Sequence, residues 1–151
     1  DVATGLGADV PFFVFGRTAL ARGIGERLTA MTMPPAHLVL AFPDAHVPTA
    51  SIFAAADLTR STPSAKIDVF SESYGRNDLS GVVCARHPAV ADALAAMSKV
   101  SPNARMTGSG ACVFAPFERE DDARRAVLAL PATLRARVVR AVARHPLAGF
   151  A

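Results

Sequence analysis

In Arg105-Met106-Thr107-Gly108-Ser109-Gly110-Ala111-Cys112-Val113-Phe114, four small residues run straight into an apolar strand. Glycines let a backbone approach a ligand closely and adopt positive φ, and successive N–H groups in such a loop can converge on an anion. Two well-known phosphate loops do not fit. A Walker loop ends in Gly-Lys-Ser/Thr and a dinucleotide loop opens a helix, whereas Gly110 is followed by Ala-Cys-Val-Phe-Ala, with no lysine and no helical pattern. A tight turn between two strands would use the same small residues equally well. The stretch therefore predicts a hairpin of Ala104–Thr107 with Ala111–Phe117 and leaves a phosphate-facing role open.

Working outward, a helix over Asp121–Ala129 stopped by Pro131 is expected after the hairpin, then a closing strand over Arg135–Ala143 carrying Val138, Val139 and Val142. Before the hairpin, Pro88 opens a helix with Val90, Leu94 and Met97 at helical spacing, and that stripe reads as core. Asn77 or Asp78 can cap a helix reaching Ala85. Pro48 suits a first helical turn leading into Thr49–Ala56, where Thr49 and Phe53, four residues apart, share a face. The run His37–Phe42 reads as the first strand. Between these elements, Asp57 to Tyr74 is polar and reads as a long loop with a short helix around Ala65–Phe70, and loops of that length usually serve a site. The order β-α-α-β-β-α-β predicts helices on one face of an antiparallel sheet, an α+β sandwich of ferredoxin-like kind.

Pro34-Pro35 marks a domain boundary, because consecutive prolines cannot continue a sheet ladder. Upstream of it, Val10–Phe15 and Thr18–Arg22 read as two strands joined at Gly16-Arg17, the second ending at the Gly23-Ile24-Gly25 break. They need partners this chain does not supply. Asp9 lies among small residues just before the apolar run, where a carboxylate can serve as a general base or, equally, as a turn or cap residue.

With 151 residues, 51% of them hydrophobic, one complete core is expected. No apolar run approaches the roughly 18 residues that cross a bilayer, and no charged-then-apolar leader is present. Cys84 and Cys112 stand far apart, and His37, His46, His87 and His145 lack ligand spacing, so neither a disulfide framework nor a metal site is expected. Of the 16 basic residues 14 are arginine, and they crowd the last third of the chain. Acidic residues lie among them and there is no tryptophan and one tyrosine, which argues for a solvated helix face and a charge-guarded edge strand, and against nucleic acid.

Five separated runs carry a resemblance: Leu6-Gly-Ala-Asp-Val-Pro-Phe-Phe13, Gly23-Ile-Gly-Glu-Arg-Leu-Thr29, Val47-Pro-Thr-Ala-Ser-Ile-Phe53, Asn77-Asp-Leu79 and Arg105 to Ala115. In this order the chain resembles the C-terminal part of a GHMP kinase. The resemblance implies a ferredoxin-like C-terminal domain over 34–151, preceded at 1–33 by the end of the N-terminal domain, which in that family resembles domain 2 of ribosomal protein S5. The family's N-terminal lysine and Gly/Ser-rich phosphate loop do not occur here, so the chain reads as a fragment, inactive alone and partnered by the missing N-terminal half.

The implied reaction transfers the γ-phosphoryl group of ATP, with Mg²⁺ held mostly by residues outside this chain, to the 2-hydroxyl of a cytidine diphosphate-linked methylerythritol. That is a cytoplasmic step towards isoprenoid precursors on the non-mevalonate route. Asp9 matches the catalytic aspartate, Thr49 and Phe53 match positions contacting the cytidine end, and Thr107, Gly108, Ser109 and Gly110 match the glycine loop beside the phosphates. Two alternatives are a GHMP kinase acting on another alcohol, such as mevalonate or homoserine, and a non-catalytic ferredoxin-like module binding a ligand or partner.

Overall fold

The structure, a computed structural model, describes residues 2–34, 36–62 and 75–146. Contacts divide the chain into two compact units, Asp1–Pro35 with Ala141–Ala151, and Ala36–Arg140. The break near residue 35 falls at the Pro34-Pro35 pair, and the last segment groups with the first unit.

The second unit is built on a four-stranded antiparallel sheet of β3 (His37–Phe42), β4 (Arg105–Met106), β5 (Val113–Phe117) and β6 (Arg135–Arg140), in the order β4-β5-β3-β6. Register is set by pairs such as Leu40 with Phe114 and with Arg137, on either side of β3. Alternation decides the faces. Val39, Ala41, Val113, Ala115 and Met106 are buried under the helices, while Leu38, Leu40, Phe42 and Phe114 lie half-buried on the other face. There the guanidinium carbons of Arg135 and Arg105 each sit 5.3 Å from the ring centres of Phe42 and Phe114.

Helices α3 (Thr49–Phe53), α4 (Leu79–Arg86), α5 (Pro88–Val100) and α6 (Glu120–Ala129) complete this unit. Pro88 occupies the first turn of α5, and Val90, Ala93 and Met97 bury the stripe expected from the sequence, with Leu94 at its margin. In α6 the first turn carries Glu120, Asp121 and Asp122, the charge sign that suits a helix N-terminus. Ala123 and Ala126 face the core. The edge strand β6 exposes Arg135, Arg137 and Arg140, a row of charge that discourages further pairing. The expected short helix around Ala65–Phe70 lies outside the described residues.

The first unit holds α1 (Val2–Leu6), α2 (Val10–Phe15) and a hairpin of β1 (Ala19–Arg22) and β2 (Arg27–Ala30). Val10–Phe15, expected from its sequence as a strand, is a helix. Pro11 sits in its first turn and Gly16, at φ 66°, closes it with an N–H bond to the Phe12 carbonyl. Pro in the first turn and a left-handed Gly just past the end are helix boundary signals, and they prevail over the β propensity of the run Phe12-Phe13-Val14-Phe15. The second expected strand is present, and it pairs with β2 across the Gly23-Ile24-Gly25 break, so that break is a hairpin turn. The predicted closing strand stops at Arg140. Beyond it, Ala143 O accepts from Thr18 N at 3.2 Å and His145 N donates to Gly16 O at 2.8 Å.

Candidate functional site

The glycine loop joins β4 to β5. Thr107 N donates to Cys112 O at 2.9 Å and Gly110 N to Thr107 O at 3.1 Å, closing a tight turn. Gly108 and Gly110 take φ of 56° and 95°, a region side chains resist. Gly110 is also sterically fixed, because a Cβ there would lie 3.2 Å from Met106 Sδ and 3.3 Å from Val83 Cγ1. Gly108 is different: nothing stands within 4 Å of its Cβ position, so its outer side is open.

Helix α3 brings the second group of predicted residues to this loop. Its inner residue Ile52 is fully buried, which turns Thr49 and Phe53 outward. The hydroxyls of Thr49 and Ser109 meet at 2.7 Å, and either can donate. One helical turn on, Phe53 leaves 53% of its surface exposed. A core role for that ring is thereby excluded, and a ring held open beside a polar cluster can take a flat ligand. Its backbone carbonyl accepts from the Arg60 guanidinium at 2.6 Å.

Asn77 is the residue whose part in the site the sequence reading missed. Its Nδ2 donates to the carbonyls of Met106, at 3.0 Å, and Gly108, at 2.8 Å. Its Oδ1 accepts from Leu79 N at 3.0 Å, so the same amide also satisfies one of the first N–H groups of α4. The only signal for it in the sequence is its place in the Asn77-Asp78-Leu79 run, where a cap is all that local chemistry suggests. Asp78, beside it, accepts from Thr62 Oγ1 and from Arg76 Nε, both at 2.6 Å. These bonds, first from Thr62 and then from Arg76, hold the Asp78 carboxyl below its ordinary range.

Asp9 belongs to the first unit. It stands at the N-cap of α2, exposed, with no capping hydrogen bond from its side chain, while its carbonyl accepts from Phe12 N at 3.2 Å. A carboxylate that is not committed to the helix end remains available for other chemistry. The thiols of Cys84 and Cys112 are free, and partial burial pushes both up, away from the reactive thiolate. Among the described residues no group of three or more His, Cys, Asp or Glu side chains is placed to hold a metal ion, and no helix is long and apolar enough to cross a membrane.

The four strands run in the order β4-β5-β3-β6, with the first and third of them central, and residues 68–136 match the family described as GHMP kinases C terminal. Across nearly its whole length the chain is similar to the C-terminal portion of enzymes that share one name. It is 50% identical over 145 residues, 96% of its length, to the 4-diphosphocytidyl-2-C-methyl-D-erythritol kinase of Aromatoleum aromaticum, and covers 51% of that protein. To the enzyme of the same name from Thiobacillus denitrificans it is 52% identical over 149 residues, which are 99% of this chain and 53% of the relative. A crystal structure of 4-(cytidine 5'-diphospho)-2C-methyl-D-erythritol kinase superposes with a TM-score of 0.68 at 32% identity, covering 93% of this chain and 56% of that one. The chain thus spans about half the length of the curated relatives it matches.

Proposed function

We propose that the full-length protein is an ATP-dependent kinase that phosphorylates the 2-hydroxyl of 4-diphosphocytidyl-2-C-methyl-D-erythritol, a cytoplasmic step of non-mevalonate isoprenoid precursor synthesis. The observation that carries this reading is the 2.7 Å bond between Thr49 and Ser109. It joins the helix that presents an exposed aromatic ring to the loop whose glycines leave open backbone, so a base-recognising element and a phosphate-compatible element form one site. Names of relatives at about half identity over nearly the whole chain point the same way.

In this reading Phe53 forms one wall for the cytosine ring, a contact worth about 1–3 kcal/mol for base–aromatic stacking. Thr49 orients the cytidine end, and Thr107, Gly108, Ser109 and Gly110 bring backbone close to the phosphates without an intervening side chain. Asp9 orients the 2-hydroxyl and accepts its proton. An alcohol holds its proton far more tightly than a carboxylate does, so the proton moves as the O–P bond forms and not before it. The remaining half of the full-length protein, of which residues 1–33 form the end, supplies the phosphate-wrapping loop and covers the exposed apolar side chains of the first unit. ATP is the phosphoryl donor. Among the described residues no group of His, Cys, Asp or Glu is placed to hold Mg²⁺, and its ligands are assigned mostly to the part of the protein outside this chain.

The test is to incubate the full-length protein with ATP and the cytidyl substrate and follow ³¹P resonances. A new phosphomonoester at the 2-position with stoichiometric ADP is expected. ATP turnover with another alcohol but not with the cytidyl compound would reassign the substrate.

A further inference from the structure

Asn77 makes three hydrogen bonds through one side-chain amide, two of them to carbonyls of the glycine turn and its approach. The consequence for the loop follows from peptide geometry. In a trans peptide the C=O and the N–H point in opposite directions, and the peptide that carries the Gly108 carbonyl also carries the Ser109 N–H. The cis peptide of this loop is the next but one, Gly110-Ala111. Drawing the Gly108 oxygen onto Asn77 therefore aims the Ser109 N–H away from Asn77. Among the described residues, neither the Ser109 nor the Gly108 N–H donates to a protein acceptor. The same contact removes two carbonyl oxygens, which would repel an anion, from the loop's free side.

We propose that Asn77 is the positioning residue of the glycine loop: it turns the Met106 and Gly108 carbonyls inward so that the Ser109 N–H is presented to the oxygens of the phosphoryl group as it is transferred. This rests on the phosphoryl-transfer reading above. It assigns the effect to a side chain that need not touch substrate, acting through backbone orientation, and it explains why a small amide is used. Asparagine supplies two donors and an acceptor from one short arm, enough to hold two carbonyls and start α4 at once.

The experiment uses Asn77→Ala and Asn77→Asp in the full-length protein. Misplacing a positioned group by about 1 Å costs on the order of 100-fold in rate. Asn77→Ala should therefore lower kcat by about that factor while KM for the cytidyl substrate stays within about threefold, the split expected when an interaction of the transition state is lost. Asn77→Asp keeps the size but cannot donate, and its charge faces two carbonyls, so it should be at least as damaging as alanine. A space-filling role predicts the opposite order. Amide hydrogen exchange supplies a readout independent of activity, with faster exchange expected for residues 107–110 in both variants and unchanged exchange in β3 and β5. Should Asn77→Ala not fold, Asn77→Ser, which keeps one donor, carries the same measurements with an intermediate loss. Unchanged kcat in Asn77→Ala, or a near-normal Asn77→Asp, overturns the proposal. If the wild-type protein does not phosphorylate the cytidyl substrate, the functional reading fails by itself, and the exchange of residues 107–110 decides whether Asn77 sets the loop: acceleration supports it and no change ends it.

Discussion

The two units differ in how they bury themselves. Each residue of the hydrophobic core, from Val39 to Leu130, belongs to the second unit, where sheet and helices close over Ile52, Val83, Met97 and Val113. Among its described residues the first unit has no comparable centre. Helix α1 buries nothing, α2 buries only Pro11, and Phe13, Val14, Leu6 and Val142 are each more than half exposed. Phe12, Phe13, Val142 and His145 instead border an apolar hollow of about 220 Å³. Exposed apolar area of this kind marks a surface built to be covered. The difference separates two jobs: the second unit carries the stability of this chain, and the first carries Asp9, the carboxylate proposed above as the base.

That division is broken most directly at Asp9. In the full-length protein Asp9→Ala is expected to lower kcat by about 10²–10⁴, the range for loss of a general base, while substrate affinity changes a few fold and the thermal midpoint stays put. The midpoint should hold because the side chain is exposed and makes no capping bond. Steady-state kinetics and a melt on the same sample decide it; near-normal turnover assigns the base elsewhere.

The next largest effect belongs to the core. Met97 is fully buried, so Met97→Ala should cost about 2–5 kcal/mol of unfolding free energy, as large-to-small core changes do. Phe13→Ala, at a ring 61% exposed, should leave the urea midpoint of the 151-residue chain almost unchanged, yet destabilise the full-length protein measurably. Equal costs for Phe13→Ala in both would mean that nothing further covers that ring.

The same contrast governs what could be read from the sequence. In the second unit, local and long-range signals agree: Pro88 and the Val90, Leu94, Met97 stripe point to one helix, and the alternation in His37–Phe42 matches the buried Val39 and Ala41. In the first unit they conflict. The run Phe12-Phe13-Val14-Phe15 has strand-forming side chains but lies between a first-turn Pro and a closing Gly, and without a core to arbitrate, its composition misleads. Strand β2 was missed because Arg27-Leu-Thr-Ala has little apolar alternation; its register comes from the turn before it. At the site, Thr49, Phe53 and the glycine loop were legible as residues, but their meeting was not. The Thr49–Ser109 bond spans 60 positions and the Asn77–Gly108 bond 31, and separations of that kind are set by the sheet order.

A smaller effect tests whether the second unit's exposed ring is functional. Phe53→Ala should raise KM for the cytidyl substrate by about 5- to 150-fold, the equivalent of 1–3 kcal/mol of stacking, with KM for ATP little changed. Stability should not move, since Ile52 and not Phe53 supplies the buried contact of α3. Equal changes in both KM values would remove the stacking role and leave Phe53 as a general support of the loop.

The smallest effect is electrostatic and concerns how the second unit ties the chain near Thr62 to the start of α4. Hydrogen bonds from Thr62 and Arg76 depress the Asp78 carboxyl in the folded state. A carboxylate with a lowered folded pKa contributes stability that is fully present above its unfolded value, about 3.9 for Asp, and lost as pH falls through the folded one. The stability difference between wild type and Asp78→Asn should therefore be constant from neutral pH down to about 5 and shrink below about 4, over the range the linkage dictates. Its size is small, because these groups face solvent and surface pairs gain little, and added salt should reduce it further. Urea midpoints measured at several pH values resolve it. A difference that instead grew on acidification would mean that protonated Asp78 is the form the fold prefers, and that Thr62 and Arg76 hold the start of α4 without its charge.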